Sequence, residues 1–265
     1  MRAMPLLYAH RGAAAELPEN TLPAFARALE LGADALETDA HLTADGHVVL
    51  SHDATGARMA NVRRAIAEST LAEVQSWDVG VGHVSKGGAR AHAGRGFRVP
   101  TLEEALRAFP HTPFNVDAKS RHPDMVPRLV ELVHRLGAEG RTLIASFDVR
   151  TLRRVRRLGY RGPTGLAQAE AVRLLFLPLR VLRLVPLQGV AAQLPYRLRF
   201  MDLGTPRVVA RCHALGLAVH YWTVNDPVLA RRLLDAGADA IMTDDPAAIA
   251  PVFAERALEH ARRHA

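Results

Sequence analysis

The sequence predicts an α/β fold: eight parallel strands alternating with helices and closed into a (β/α)8 barrel. Three observations carry the prediction. Short apolar runs recur with helical patterns between them, glycines close several of those patterns, and no glycine fingerprint follows the first run as an open dinucleotide-binding sheet would require.

The expected strands are PLLYAH (5–10), DALETDAH (34–41), PFNVDAK (113–119), RTLIASF (141–147), GPTGLA (162–167), GVAAQL (189–194), LAVHYWTV (217–224) and DAIMTDD (239–245). Helical spacing falls between them in TLPAFARALELG, TLEEALRAF, MVPRLVELVHRLG, VRTLRRVRRLG, TPRVVARCHALG and DPVLARRLLDAG. Four of these patterns end at Gly32, Gly137, Gly159 and Gly216, as helix C-caps do. A last helix begins near Pro246, with Asp244 as a candidate cap. No linker or low-complexity stretch divides the chain, so one domain over 1–265 is expected. Two places break the rhythm. HLTADGHVVLSHD reads as a hairpin turning at Asp45-Gly46, and the glycine-rich stretch 78–98 reads as a small insertion after the second strand, over one end of the barrel.

Composition narrows the function classes. A single cysteine, Cys212, excludes a disulfide framework, and no secretory signal precedes the first strand, so the cytoplasm is the expected location. The net charge of +7 rests on 34 basic residues of which only Lys86 and Lys119 are lysines. That usage reads as compositional bias, and with no aromatic-studded basic groove a nucleic-acid partner is not expected. Against an arginine background Lys119 stands out as a compact point charge.

Polar residues collect where a barrel keeps its chemistry, at the C-terminal ends of the strands. His10 and Arg11 end the first. Glu37, Asp39 and His41 alternate on one face of the second, His52 and Asp53 end the hairpin run, and Asp117 and Lys119 end PFNVDAK. Glu37, Asp39 and Asp117 facing one another repel unless a cation lies among them. Two arrangements satisfy them: a hard divalent ion, for which oxygen donors suit Mg²⁺ or Ca²⁺ better than Zn²⁺, or a salt-bridge network with Arg11 and Lys119. His10 and His52 are placed for acid/base work, with His41 in support. His83 and His92, in the insertion, either touch substrate or are solvated. Trp222 alternates with His220 and either walls the site or packs inside the barrel.

The motifs AHRG with PENT, ETDAHLTADGHVVLSHD, NVDAK, HYWTVN and GADAIMTDDP resemble, in this order, the glycerophosphodiester phosphodiesterase family, from His10 to Pro246. The resemblance implies a TIM barrel and metal-dependent hydrolysis of glycerophosphodiesters to glycerol 3-phosphate and an alcohol. It implies His10 and His52 as the acid/base pair, Glu37, Asp39 and Asp117 as ligands of Mg²⁺ or Ca²⁺ (or Mn²⁺), and Arg11 and Lys119 as phosphate contacts, with Glu19 as support for the site; Trp222, by its alternation, is the candidate apolar wall for the substrate's glycerol carbons. It also implies a cyclic phosphate formed by the substrate's own glycerol hydroxyl. One departure is Asp117, where the family pattern, typically NIEIK, has glutamate; the shorter arm shifts the ion or admits a water.

The tract VRLLFLPLRVLRLVPL (172–187) gathers Arg173, Arg180 and Arg183 on one side if it is one helix. It is then either a basic amphipathic segment for an anionic membrane surface, which favours lysophospholipid substrates, or a barrel helix broken at Pro178 and followed by a packed loop. A catalytically weak phosphodiester-binding protein is the other class considered, and competent residues at every assigned position argue against it. A zinc amidohydrolase would want a His-x-His pair that AHRG lacks. Oligomeric state is not encoded in any pattern here.

Overall fold

In the computed structural model, residues 4–85, 88, 90–120, 122–184 and 187–264 are described. Met1 to Ala3 before the first strand, Lys86, Gly87 and Ala89 of the glycine-rich stretch, and Val185 and Pro186 of the apolar tract lie outside them.

The strands are β1 (Leu6–His10), β2 (Ala35–Leu42), β3 (Val48–Leu50), β4 (Phe114–Ala118), β5 (Thr142–Ala145), β6 (Ala191–Pro195), β7 (Arg197–Leu198), β8 (Met201–Asp202), β9 (Ala218–Trp222) and β10 (Ala240–Thr243). Between and after them run α1 (Leu22–Glu30), α2 (Ala57–Ala60), α3 (Leu71–Gln75), α4 (Leu102–Ala108), α5 (Met125–Arg135), α6 (Val149–Arg157), α7 (Gln168–Phe176), α8 (Leu179–Leu184), α9 (Pro206–His213), α10 (Pro227–Asp235) and α11 (Pro246–His264). Seven strands pair in the order β5-β4-β2-β1-β10-β9-β6, every neighbour parallel. The stave expected at GPTGLA survives only as two parallel bridges, Ile144 to Thr164 and Gly165 to Ala191. These close the cylinder between β5 and β6. Pro163 lacks an N–H and two glycines flank it, so this stave cannot build a full ladder.

The pleat sorts the side chains. Outward residues such as Leu7, Leu36, Val116 and Ile144 are fully buried under the helices, where Phe25 of α1 meets the edges of Phe109 and Phe114 at ring distances of 6.3 and 6.2 Å. Inward residues begin small and apolar at the N-terminal strand ends, with Ala35, Ala191, Ala218 and Ala240, and turn polar toward the C-terminal ends. Helix starts obey local rules. Thr101 accepts from the Glu104 amide at 3.1 Å while Glu104 accepts from the Thr101 amide at 2.7 Å, a reciprocal cap for α4.

The hairpin forms as expected, with β2 antiparallel to β3 and Gly46 at φ 85° in its turn. The insertion is larger than 78–98. It starts after β3, holds α2 and α3, and has its own small core of Val49, Ile66, Val74, Trp77, Val79 and Val99. The 172–187 tract is not one helix. It breaks after Phe176 into α7 and α8, anchored by buried Leu174 and Leu182, so its three arginines do not share a continuous stripe. Among the described residues no helix is long and apolar enough to cross a membrane.

His220 points inward from β9 beside Tyr8, with ring centroids 5.4 Å apart, and its Nδ1 has no hydrogen-bond partner. Burial pushes its imidazole down to about 4. The unfolded chain therefore takes up a proton near pH 6.5 that the folded chain refuses, and this group's contribution to stability falls as pH drops from there toward 4. Replacing it by glutamine is expected to remove about 2 kcal/mol of the stability loss seen between pH 7 and pH 5, at about 1.4 kcal/mol per unit. Denaturant titrations of both proteins at the two pH values measure it; identical pH dependence would contradict the assignment.

Candidate active site

The polar ends of β1, β2 and β4 meet because of register. His10 pairs with Glu37, Glu37 with Asn115, and Asp39 with Asp117 across the parallel ladder. Inward alternation then stacks Glu37 beneath Asp39 and Asn115 beneath Asp117. The β1–α1 loop is bent to serve the same spot. Arg11 adopts φ 60° and Gly12 φ 86°, and a Cβ on Gly12 would lie 2.8 Å from the Ala24 backbone, so only glycine fits this turn. The Arg11 amide donates to the Glu37 carbonyl (3.0 Å) and carboxylate (3.2 Å), tying the loop to β2. PENT has a structural meaning too. Asn20, buried and at φ 56°, donates to Asp39 at 3.3 Å and accepts from Thr38 at 2.6 Å, while Thr21 caps α1.

The three carboxylates are almost completely buried. Lys119 Nζ lies between two of them, 3.2 Å from Asp39 Oδ1 and 2.8 Å from Asp117 Oδ2. Arg11 Nε is 3.0 Å from Asp39 Oδ2 without an aligned hydrogen bond. Of the two arrangements left open by the sequence, the salt-bridge network is the one present. It is incomplete: Asp117 Oδ1 and Asn115 Oδ1 are buried acceptors with no hydrogen-bond partner. Such an atom costs roughly 1–3 kcal/mol unless something satisfies it. Burial, reinforced by the Asp39 charge, pushes the Glu37 carboxyl well above the usual range, and burial also raises Asp117 despite Lys119. The donor set therefore wants more positive charge than Arg11 and Lys119 supply, and its chemistry fits a hard divalent ion. As placed, no three His, Cys, Asp or Glu groups among the described residues converge on one point, because the ammonium of Lys119 separates Asp39 from Asp117.

Each candidate acid/base histidine has one nitrogen held by a carboxylate. His10 Nδ1 is 2.7 Å from Asp244 Oδ1, and Asn225 donates to the other Asp244 oxygen at 2.9 Å. Burial opposes the charge of both groups, yet Glu37 and Asp244 raise the His10 imidazole and the His10 bond keeps Asp244 low. His52 Nδ1 is 2.8 Å from Asp53 Oδ1. Asp53 is held in turn by Arg58 Nε at 2.6 Å, and Arg58 also grips Glu19 at 2.6 and 3.0 Å. Glu19 reaches Arg11 at 3.3 Å. Glu19 thus links the phosphate-contact candidate Arg11 to the support of His52. His41 Nε2 donates to the His52 carbonyl at 3.3 Å.

His10, Arg11, Glu37, Asp39, His52, Asp117 and Lys119 all line one cavity of about 350 Å³. Its opposite wall is apolar, made by Phe147, Leu166, Val172, Leu175, Leu198 and Trp222. Trp222 does both things the sequence left open: it lines this wall and packs against the inner Tyr8 cluster, edge-on to Phe147 at 6.0 Å. Lys119 lies 5.4 Å from the Phe147 ring centroid.

Two expectations change. His83 and His92 donate to the carbonyls of Ala14 (3.2 Å) and Glu16 (3.1 Å), so they pin the β1–α1 loop beneath the insertion; neither lines the cavity. Asp244 holds His10, and the cap of α11 is its neighbour Asp245, which accepts from the Ala248 amide at 3.3 Å. Sequence reasoning passed over Asn20, Arg58 and Asn115. Asn115 had a signal, standing two residues before Asp117 on the same face, whereas Arg58 is one arginine among many.

Known proteins resemble this chain over nearly its whole length. Residues 10–248 match the model of the glycerophosphoryl diester phosphodiesterase family. A glycerophosphodiester phosphodiesterase of Caldanaerobacter subterraneus subsp. tengcongensis is 33% identical over 247 residues, covering 91% of this chain and 94% of that protein. A lysophospholipase D of Homo sapiens is 28% identical over 269 residues, covering 89% and 82%. The crystal structure of a putative glycerophosphoryl diester phosphodiesterase from Silicibacter pomeroyi superposes with a TM-score of 0.78 at 29% identity, covering 97% of this chain and 95% of that one. The chain belongs to the glycerophosphoryl diester phosphodiesterase family and is a phosphoric diester hydrolase.

Proposed function

We propose that this chain, acting as one domain, releases glycerol 3-phosphate from glycerophosphodiesters by proton transfer between His10, His52 and the substrate. The observation that carries the reading is the pair of carboxylate-held histidines facing one cavity with the carboxylate and cation cluster. With Nδ1 donating to Asp244 or Asp53, each ring keeps Nε2 as its reactive nitrogen.

Arg11 and Lys119 meet the non-bridging phosphate oxygens, whose charge grows as the bond to the alcohol breaks, so their attraction is greatest in the transition state. One histidine takes the proton of the substrate's free glycerol hydroxyl as that oxygen bonds to phosphorus. The other gives a proton to the departing alkoxide. Water then opens the cyclic phosphate by the same transfers reversed, leaving glycerol 3-phosphate. Glu37, Asp39 and Asp117 would hold a divalent cation, Mg²⁺, Ca²⁺ or Mn²⁺, which supplies Lewis-acid polarisation of the phosphate. Asp117, one methylene shorter than the glutamate of the family pattern, leaves an unpartnered oxygen for that ion or for a water on it.

The apolar wall favours a second reading, lysophospholipids bearing one acyl chain, whose free glycerol hydroxyl permits the same route. Phe147, Val172, Leu175 and Leu198 offer that chain an apolar path beside the phosphate contacts.

Three outcomes test these assignments. His10→Ala and His52→Ala are each expected to lower kcat on glycerophosphocholine by on the order of 10²-fold or more, and EDTA to abolish turnover until a divalent ion is restored. Full rates in both variants would remove the acid/base pair. Asp244→Asn keeps the side-chain shape but not the charge that orients His10, so kcat should fall by roughly 10-fold or more with KM nearly unchanged and the pH profile displaced. An unaltered profile would reduce Asp244 to packing. Arg58→Ala frees both Glu19 and Asp53, and the expected loss, about 10-fold, should also fall on kcat.

A further inference from the structure

The cavity's apolar wall continues onto the outside of the barrel mouth. β7 and β8 form a short hairpin, Arg197 opposite Asp202 and Leu198 opposite Met201, whose apex is Arg199-Phe200. Its base is fixed: Asp202 accepts from Arg232 at 2.7 Å and from the Gly204 amide at 2.8 Å, and the Tyr196 carbonyl accepts from the Leu203 and Gly204 amides at 2.8 and 3.1 Å. The apex is unusual in both residues. Arg199 takes φ 51°, a left-handed turn position that normally selects glycine or asparagine, and Phe200 is 97% exposed. A rigid base therefore projects an aromatic ring fully into solvent.

This ring is not isolated. Of the large apolar side chains exposed among the described residues, five lie on α7 and the hairpin: Val172, Phe176, Leu198, Phe200 and Met201. Val172, on α7, and Leu198, on the hairpin, line the same cavity, so the two elements flank one mouth; Phe176 lies one helical turn beyond Val172. The charge of this rim has one sign. These two elements carry Arg173, Arg197 and Arg199, while Glu170 is buried beside Arg156 and Asp202 is paired with Arg232. Arg199 makes no ion pair or hydrogen bond with the described residues.

We propose that this rim is a docking surface for an anionic phospholipid bilayer, with Phe200 entering between headgroups and the surrounding arginines meeting lipid phosphates. Exposed aromatic and aliphatic groups beside Arg173, Arg197 and Arg199 match the acyl boundary and negative surface of such a bilayer, and the docked orientation aims the cavity's apolar wall at the lipid. In place of the single amphipathic helix that is one of two readings of 172–187, the surface is built from two elements that the chain brings together only on folding. Delivery of a lipid substrate rests on the phosphodiesterase reading, whereas binding to the bilayer does not.

Co-sedimentation of the full chain with vesicles of phosphatidylcholine and phosphatidylglycerol in equal parts, and with phosphatidylcholine alone, tests it. The wild type is expected to sediment with the anionic vesicles and much less with the neutral ones. Phe200→Ser, and separately Arg197→Gln with Arg199→Gln, should each weaken binding by on the order of 10-fold, with release by salt for the wild type. Hydrolysis of soluble glycerophosphocholine by both variants should equal wild type, which shows that they fold and separates this proposal from the catalytic one. No sedimentation of the wild type, or sedimentation of Phe200→Ser at the wild-type level, would overturn the docking surface. So would a wild-type dimer in solution that Phe200→Ser dissolves without any vesicle binding, because the rim would then cover a second copy of the chain.

Discussion

Three carboxylates held on the inward faces of two adjoining parallel strands cannot all stay ionised unless positive charge lies among them. Glu37, Asp39 and Asp117 are in that position because β2 and β4 pair Asp39 with Asp117, and the two-residue period then brings Glu37 to the same side. Much of the local architecture answers that demand. Arg11 is bent into a left-handed turn to stand beside Asp39, Asn20 is buried to hold the same carboxylate, and Lys119 bridges to Asp117. What they leave unanswered, an orphaned Asp117 oxygen and a Glu37 carboxyl pushed upward by burial, is the electrostatic gap that the proposed divalent cation and phosphodiester would fill.

Around this cluster the supporting residues come from distant parts of the chain. His10 is oriented from the last barrel strand end through Asp244 and Asn225, and His52 from the insertion through Asp53, Arg58 and Glu19. The insertion earns its place structurally, since its small core fixes Arg58 and its two histidines clamp the loop that carries Arg11 and Glu19. The far wall, from α7 and the β7–β8 hairpin, contributes apolar surface and no charge to the cavity. In the proposed reading, one side of the cavity meets phosphate and the other accepts carbon.

The barrel was legible because its signals are local and repeated. Alternation marked the strands, and each of Gly32, Gly137, Gly159 and Gly216 has the positive φ expected of a C-cap. The exceptions are instructive. GPTGLA reads as a strand by position but ladders only at two residues, because Pro163 has no N–H to extend the ladder and its glycines carry no side chains to pack. The residues of the cluster could be picked out because strand ends sort them onto one face. Their partners could not: Arg58 meets Glu19 across 39 residues and Asp244 meets His10 across 234, separations at which periodicity carries no information. Likewise, the 172–187 tract has the composition of one amphipathic helix, yet Pro178 follows the point where the chain leaves α7, and its arginines divide between two elements.

The central claim is that the buried carboxylates form a cation site with an unmet charge. Calorimetric titration of Mg²⁺, Ca²⁺ and Mn²⁺ into the chain, beside the Asp117→Asn variant, addresses it most directly. A single divalent ion should bind per chain, and the variant should bind it on the order of 10-fold more weakly or not at all, since a ligand oxygen loses its charge. Absence of binding by the wild type, or equal binding by both proteins, would contradict the account.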